Sequence, residues 1–135
     1  MGHHGEPTLL VPVYGPVACG EPFMWSSGEA IGYERLSAED AKLIDVVIVV
    51  AGDSLSAERI NDGDRLGVQR LNGEQPPDGA IVVVEAEGSY MAKVYRRNAV
   101  GEYLESRRLG RDPEPLLLGD EVRLVGRARK HIRNL

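Results

Sequence analysis

Asp45-Val46-Val47-Ile48-Val49-Val50 is the run that decides the fold. Five consecutive β-branched residues are stiff at χ1, sit poorly in a helix and fit a pleated strand. No polar residue alternates through the run, so the strand must be covered on both faces. The residues after it, Ala51-Gly52-Asp53-Ser54-Leu55, read as a turn in which Gly52 permits a sharp bend.

More strands lie downstream. Arg65-Leu66-Gly67-Val68-Gln69 alternates polar and apolar, as a half-buried strand does. A Gly- and Pro-rich loop spans 72–79. Ala80 to Glu85 is then a second β-branched run, Glu87-Gly88 marks a turn, and Tyr90 to Arg96 returns as the other arm of a hairpin. Val122 to Ala128 reads as the last strand. Upstream, Leu9 to Val13 has β character, and Pro12 assigns it to an edge or an irregular strand. Residues 1–8 read as a flexible arm and Gly15 to Gly28 as extended loop. Ser37 is placed to cap one short helix over 37–42, with Asp40 near its third position. No repeat and no long helical stripe occurs, so the chain is expected to be mainly β.

At 135 residues the chain is expected to form a single domain around one core. Aromatic residues make up 5%, so Val, Leu, Ile and Ala must build that core. A net charge of −5 argues against a chain whose main task is coating nucleic acid. Arg123, Arg127, Arg129, Lys130 and Arg133 nevertheless crowd the last stretch, as the solvated face of a terminal strand or as a basic patch. The paired amphipathic helices of a helix-turn-helix reader are not in the sequence, so direct DNA binding by this chain is not expected.

Cys19 is the single cysteine, which rules out a disulfide framework, and with His3, His4 and His131 scattered a zinc site is not expected. No cofactor is implied. No apolar run approaches the roughly 20 residues of a membrane span. Met1-Gly2-His3-His4-Gly5 lacks the apolar stretch of a signal peptide. The expectation is a cytoplasmic chain with no membrane partner.

Chemistry enters with Ser54 and Lys93. A serine hydroxyl needs a base to become a nucleophile, and a neutral lysine can serve in place of histidine. Burial must then pull the amine well below its usual value of about 10.4. In Tyr90-Met91-Ala92-Lys93-Val94-Tyr95 the lysine shares one strand face with Met91 and Tyr95, which permits desolvation. Backbone N–H groups at the Gly52-Asp53-Ser54 bend are suited to an oxyanion hole. Taken singly, each residue has an ordinary reading. Ser54 is a turn residue, Lys93 is a strand lysine whose amine snorkels to water, Asp62-Gly63-Asp64 is a turn, and Cys19 is a small apolar residue.

Four motifs in fixed order carry a resemblance: Ala18-Cys19-Gly20-Glu21-Pro22, Gly52-Asp53-Ser54-Leu55, Asp62-Gly63-Asp64 and Lys93 in its hairpin strand. Together they resemble the LexA repressor and UmuD family of self-cleaving serine–lysine peptidases, from about Leu9 to the end of the chain. The resemblance implies a compact, curved-sheet, signal-peptidase-like domain over 9–135 with one or two short helices, its cleavage segment at 15–22. It implies catalysis by Ser54 and Lys93, an oxyanion hole at the Asp53 and Ser54 backbone, and a scissile Cys19–Gly20 bond. It also implies a homodimer involving the last strand, and stimulation by a RecA filament on single-stranded DNA in the DNA-damage response. The further partner would be an error-prone DNA polymerase or a covalently attached DNA-binding domain missing from this chain.

Two features depart from the family pattern: Leu55 stands where Met often follows the serine, and 104–119 does not match the usual loop. Two other readings stand beside the resemblance. One is a non-catalytic dimerisation module with the same fold, as in the C-terminal part of a transcriptional repressor. The other is a GDSL-type esterase, from Gly52-Asp53-Ser54-Leu55, which would need alternating helices and His131 with a paired Asp; Asp120 is the nearest in sequence.

Overall fold

The computed structural model describes residues 7–17, 30–86 and 89–134. They form one mixed sheet of nine strands: β1 (Thr8–Val17), β2 (Gly32–Ser37), β3 (Val46–Val50), β4 (Arg65–Arg70), β5 (Ile81–Ala86), β6 (Ser89–Arg97), β7 (Glu102–Ser106), β8 (Glu114–Leu117) and β9 (Val122–Ile132). Their spatial order is β2-β1-β3-β4-β9-β5-β6-β7-β8. Only β1 and β3 run parallel; every other pairing is antiparallel. The expectation of a mainly β domain is met. The one α-helix among the described residues, α1 (Ala38–Ala41), is a single turn. Its N-cap is Ser37, whose side chain accepts from the Asp40 N–H at 3.0 Å, as the capping pattern requires.

Strand alternation divides the core between the two faces of the sheet. Val46, Ile48 and Val50 of β3 pack with Leu66, Val68, Val83, Ala92 and Val94 on one face. Val47 turns the other way and joins Val11, Val13, Leu36 and Ile44. That second face also carries Val82, Val84, Tyr95 and Leu104 at the β5–β7 end. The β3 run is therefore buried on both sides, as its composition demands. Between the two clusters on the second face, Gly67 lies under Ile44, and a Cβ there would meet Ile44 Cδ1 at 2.6 Å.

The first strand differs from its reading in position. β1 is not an edge; it lies between β2 and β3. Pro12 is tolerated because the β3 ladder begins one residue later, at Val13↔Val47, so no β3 partner faces its missing N–H. The strand is irregular as expected, with a register shift between Tyr14 and Pro16. Thr8, assigned to the arm, already pairs with Ser37. Strand structure also extends through Val17, into the stretch read as loop.

Candidate active site

Two turns meet at the end of β3. In the first, Gly52 adopts φ +88°, which only glycine takes without strain, and the chain bends into Asp53 and Ser54. In the second, Gly63 likewise sits at φ +88° between Asp62 and Asp64. The two are tied together by three hydrogen bonds. The Gly52 N–H donates to Asp62 Oδ1 at 2.8 Å, the Gly63 N–H to the Val50 carbonyl at 2.8 Å, and the Val50 N–H to the Asp64 carbonyl at 2.8 Å. Asp62-Gly63-Asp64 is thus more than a turn into β4: it braces the bend that presents Ser54.

The Asp64 carboxylate anchors the brace. It is 4% exposed and accepts from the Asn61 N–H and the Asn134 N–H, each at 2.9 Å, while His131 Nε2 lies 2.8 Å from its Oδ2. Burial is the largest influence and pushes its pKa up. The two backbone donors and the His131 ring outweigh it and hold the group at about 2. His131 therefore does have a carboxylate partner, Asp64, which its sequence neighbourhood did not reveal. The partner is thus not Asp120, the nearest aspartate in sequence.

The catalytic serine candidate is held on its other side by the exit from β7. The Arg107 N–H donates to the Ser54 carbonyl at 2.7 Å, the Ala57 N–H to the Arg107 carbonyl at 2.9 Å, and the Leu109 N–H to Ser56 Oγ at 3.0 Å. Arg108 Nε donates to Asp53 Oδ1 at 2.9 Å, and its Nη1 to Glu114 Oε1 at 3.0 Å. Leu55, 1% exposed, plugs the adjoining core and fixes the loop from below.

Lys93 lies on β6 opposite Val82 of β5, on the apolar face that carries Met91 and Tyr95. Its half-buried amine is pushed below the ordinary lysine value by desolvation first and then by the nearby Arg108 charge, with Glu114 opposing. Nζ donates to Ser106 Oγ at 2.5 Å. Among the described residues it makes no hydrogen bond to Ser54. The two candidates are joined instead through β7: Lys93 to the Ser106 side chain, then the Arg107 backbone to Ser54.

Sequence reasoning missed Ser106, Arg107 and Arg108, because 104–119 was read as a loop unlike the family's. A signal was present in Asn98-Ala99-Val100-Gly101. Its Asn98 and Gly101 exchange backbone hydrogen bonds at 3.0 and 3.2 Å, closing a hairpin. Counting back from that turn, and one step past the Val94↔Glu105 pair, sets Lys93 opposite Ser106. The scissile-bond candidates Cys19 and Gly20 lie outside the described residues.

The described residues form a strand-dominated sheet without the alternating helices of an α/β esterase. The Peptidase S24-like family model matches residues 12–129, and the chain belongs to that family, the LexA/UmuD group. It is 39% identical over 103 residues to LexA repressor 1 of Xanthomonas axonopodis pv. citri (strain 306), covering 73% of this chain and 48% of that protein. It is 30% identical over 130 residues to the LexA repressor of Shewanella pealeana (strain ATCC 700345 / ANG-SQ1), covering 96% of this chain and 62% of that protein. The LexA repressor of Xylella fastidiosa (strain M12) is 34% identical over 95 residues, 67% of this chain and 42% of that protein. The chain thus spans about half the length of the first of these curated relatives. No described helix is long and apolar enough to cross a membrane.

Proposed function

We propose that the chain is a self-cleaving serine peptidase domain that cuts its own Cys19–Gly20 bond. The observation that carries the reading is Lys93: a strand lysine with a desolvated amine, one β7 residue removed from the backbone that holds Ser54. Ser54 Oγ attacks the Cys19 carbonyl carbon while neutral Lys93 takes the hydroxyl proton. The backbone N–H groups of Asp53 and Ser54 hold the oxyanion. Lys93 then passes the proton to the departing Gly20 amine; neutral again, Lys93 takes a proton from the water that attacks the acyl carbon and returns it to Ser54 Oγ as the acyl group leaves. Small residues at Ala18, Cys19 and Gly20 let the backbone approach the serine closely.

The names of the relatives support a place in transcriptional repression within the DNA-damage response. On this reading a RecA filament on single-stranded DNA stimulates cleavage in the cytoplasm. The peptidase and dimerisation domain expected at 9–135 then takes in Thr8 as well, since Thr8 is part of β1, and the downstream partner is an error-prone polymerase or an attached DNA-binding domain. A homodimer is supported by β9. Its first half pairs with β5 and its second with β4, so Ala128–Ile132 has a strand on one side only among the described residues.

A specific observation favours the second reading, a non-catalytic dimerisation module: the lysine amine rests on Ser106 and not on Ser54. Substitution separates the two. Ser54→Ala and Lys93→Ala should each abolish fragments ending at Cys19 and beginning at Gly20 while leaving the thermal transition in place. Fragments that persist in either variant would overturn the proposal.

A further inference from the structure

The cations of β9 fall into two settings. Arg123 is bonded to Glu85 at 2.7 Å and Lys130 to Asp40 at 3.0 Å, so each has a carboxylate. Arg127 and Arg129 have none among the described residues. Arg127 stands between Gln69 of β4 and Val82 of β5. The residue is half-buried, and its Nε is shut off from water with no acceptor. A guanidinium N–H that loses its hydration without gaining a partner is costly, and such groups call for a ligand or an ion. Arg129 is the extra residue of a bulge, since Val68 pairs with Ala128 and Gly67 with Lys130. Its Nη1 lies 3.5 Å from Oε1 of Gln69, the residue that is also paired with Arg127. Burial first, and then the nearby Arg129 charge, push Arg127 below the ordinary arginine value.

We infer that Arg127 and Arg129 form a binding site for a doubly charged phosphate group, either inorganic phosphate or a phosphomonoester. Two neighbouring guanidinium groups carry two positive charges. A carboxylate neutralises one of them, whereas such a phosphate brings about −1.5 to −2. A planar carboxylate fits a single guanidinium fork; the tetrahedral oxygens of a phosphate accept from two forks and from Arg127 Nε together. Arg129 is exposed, which gives the ligand a way in. β9 has no acidic residue of its own, so on the homodimer reading a second β9 edge adds cations here and no counter-charge. Binding at this site does not depend on self-cleavage.

The test titrates inorganic phosphate, and separately adenosine monophosphate, into the full chain with ionic strength held constant by sodium chloride. The readout is the NMR signals of the labelled arginine Nε–H groups, which also report that each variant is folded. The Arg127 and Arg129 signals should shift together and saturate while those of the other arginines stay in place. Arg129→Gln should weaken the binding read at Arg127 roughly tenfold or more, because one of two charged forks is gone. Arg127→Met should remove the saturable response of Arg129, and Arg35→Gln, an exposed arginine of β2, should change neither. Saturation by either phosphate supports the site, and the one that acts at lower concentration identifies the source. Equal drift of every arginine signal, or an Arg129 response that survives Arg127→Met, would overturn the inference. So would acetate, or an oligonucleotide without terminal phosphates, saturating the two signals at lower concentration than phosphate.

Discussion

Asp64 shows how much of this site is set by single groups. Its carboxylate is buried, yet its pKa sits at about 2 against an ordinary 3.8, because the Asn61 and Asn134 N–H groups and His131 more than offset the burial. A depressed carboxylate stabilises the fold above its unfolded value, and that contribution disappears as pH falls from 3.8 towards about 2. Asp64→Asn should therefore cost about 2 kcal/mol at neutral pH, measured by urea denaturation. The gap between variant and wild type should close as the solution is acidified through that window. A gap independent of pH would show that shape, not charge, carries the effect. The motif containing Asp64 was legible in the sequence; its function as a brace was not. Two of its partners, His131 and Asn134, lie near the other end of the chain, where no local pattern points back to it. Ser54 and Lys93 were legible for the opposite reason. A Gly-Asp-Ser bend after a buried run and a lysine inside an apolar hairpin strand are local signals.

At the scale of elements, β-branched runs announced β3 and β5, and alternation announced β4. β2 and β7 were assigned to no element because their polar content masks the pattern: Tyr33-Glu34-Arg35-Leu36 and Glu102-Tyr103-Leu104-Glu105 contain no apolar run. Glu34 is bonded to Arg65, and Glu105 accepts from both Arg96 and Arg107. Propensity cannot anticipate Arg65 and Arg96 as partners, since they come from other strands. A second feature of the elements is the close approach of Ile44 to β4. Gly67 keeps that contact open, and its replacement by Ala forces Ile44 to move. Gly67→Ala should lower stability by about 1–3 kcal/mol, and Ile44→Val should recover part of the loss in the double variant. Strict additivity of the two substitutions in chemical denaturation would contradict the contact.

For the whole molecule, the sheet brings the serine turn, the exit of β7 and the middle of β6 to one place, although they are spread from Ser54 to Arg108. The order β2-β1-β3-β4-β9-β5-β6-β7-β8 inserts the last strand between the two halves of the sheet, so β9 connects the serine-bearing half to the lysine-bearing half. No local reading yields that insertion, because it pairs β9 with two strands far from it in sequence. On the proposed mechanism, self-cleavage is likewise a property of the whole chain, since the Cys19–Gly20 bond would have to reach Ser54 and Lys93, which are far apart in sequence. The direct measurement is the intact mass of the purified chain after incubation across a pH series up to about 10, the region where an ordinary lysine loses its proton. Because burial and Arg108 lower the amine of Lys93, the account predicts two fragments separating between Cys19 and Gly20. Their yield should rise with pH and level off before the ordinary lysine range, with no fragments from Ser54→Ala. A chain that stays whole at every pH, or one cut equally well with Ser54 replaced, would contradict it.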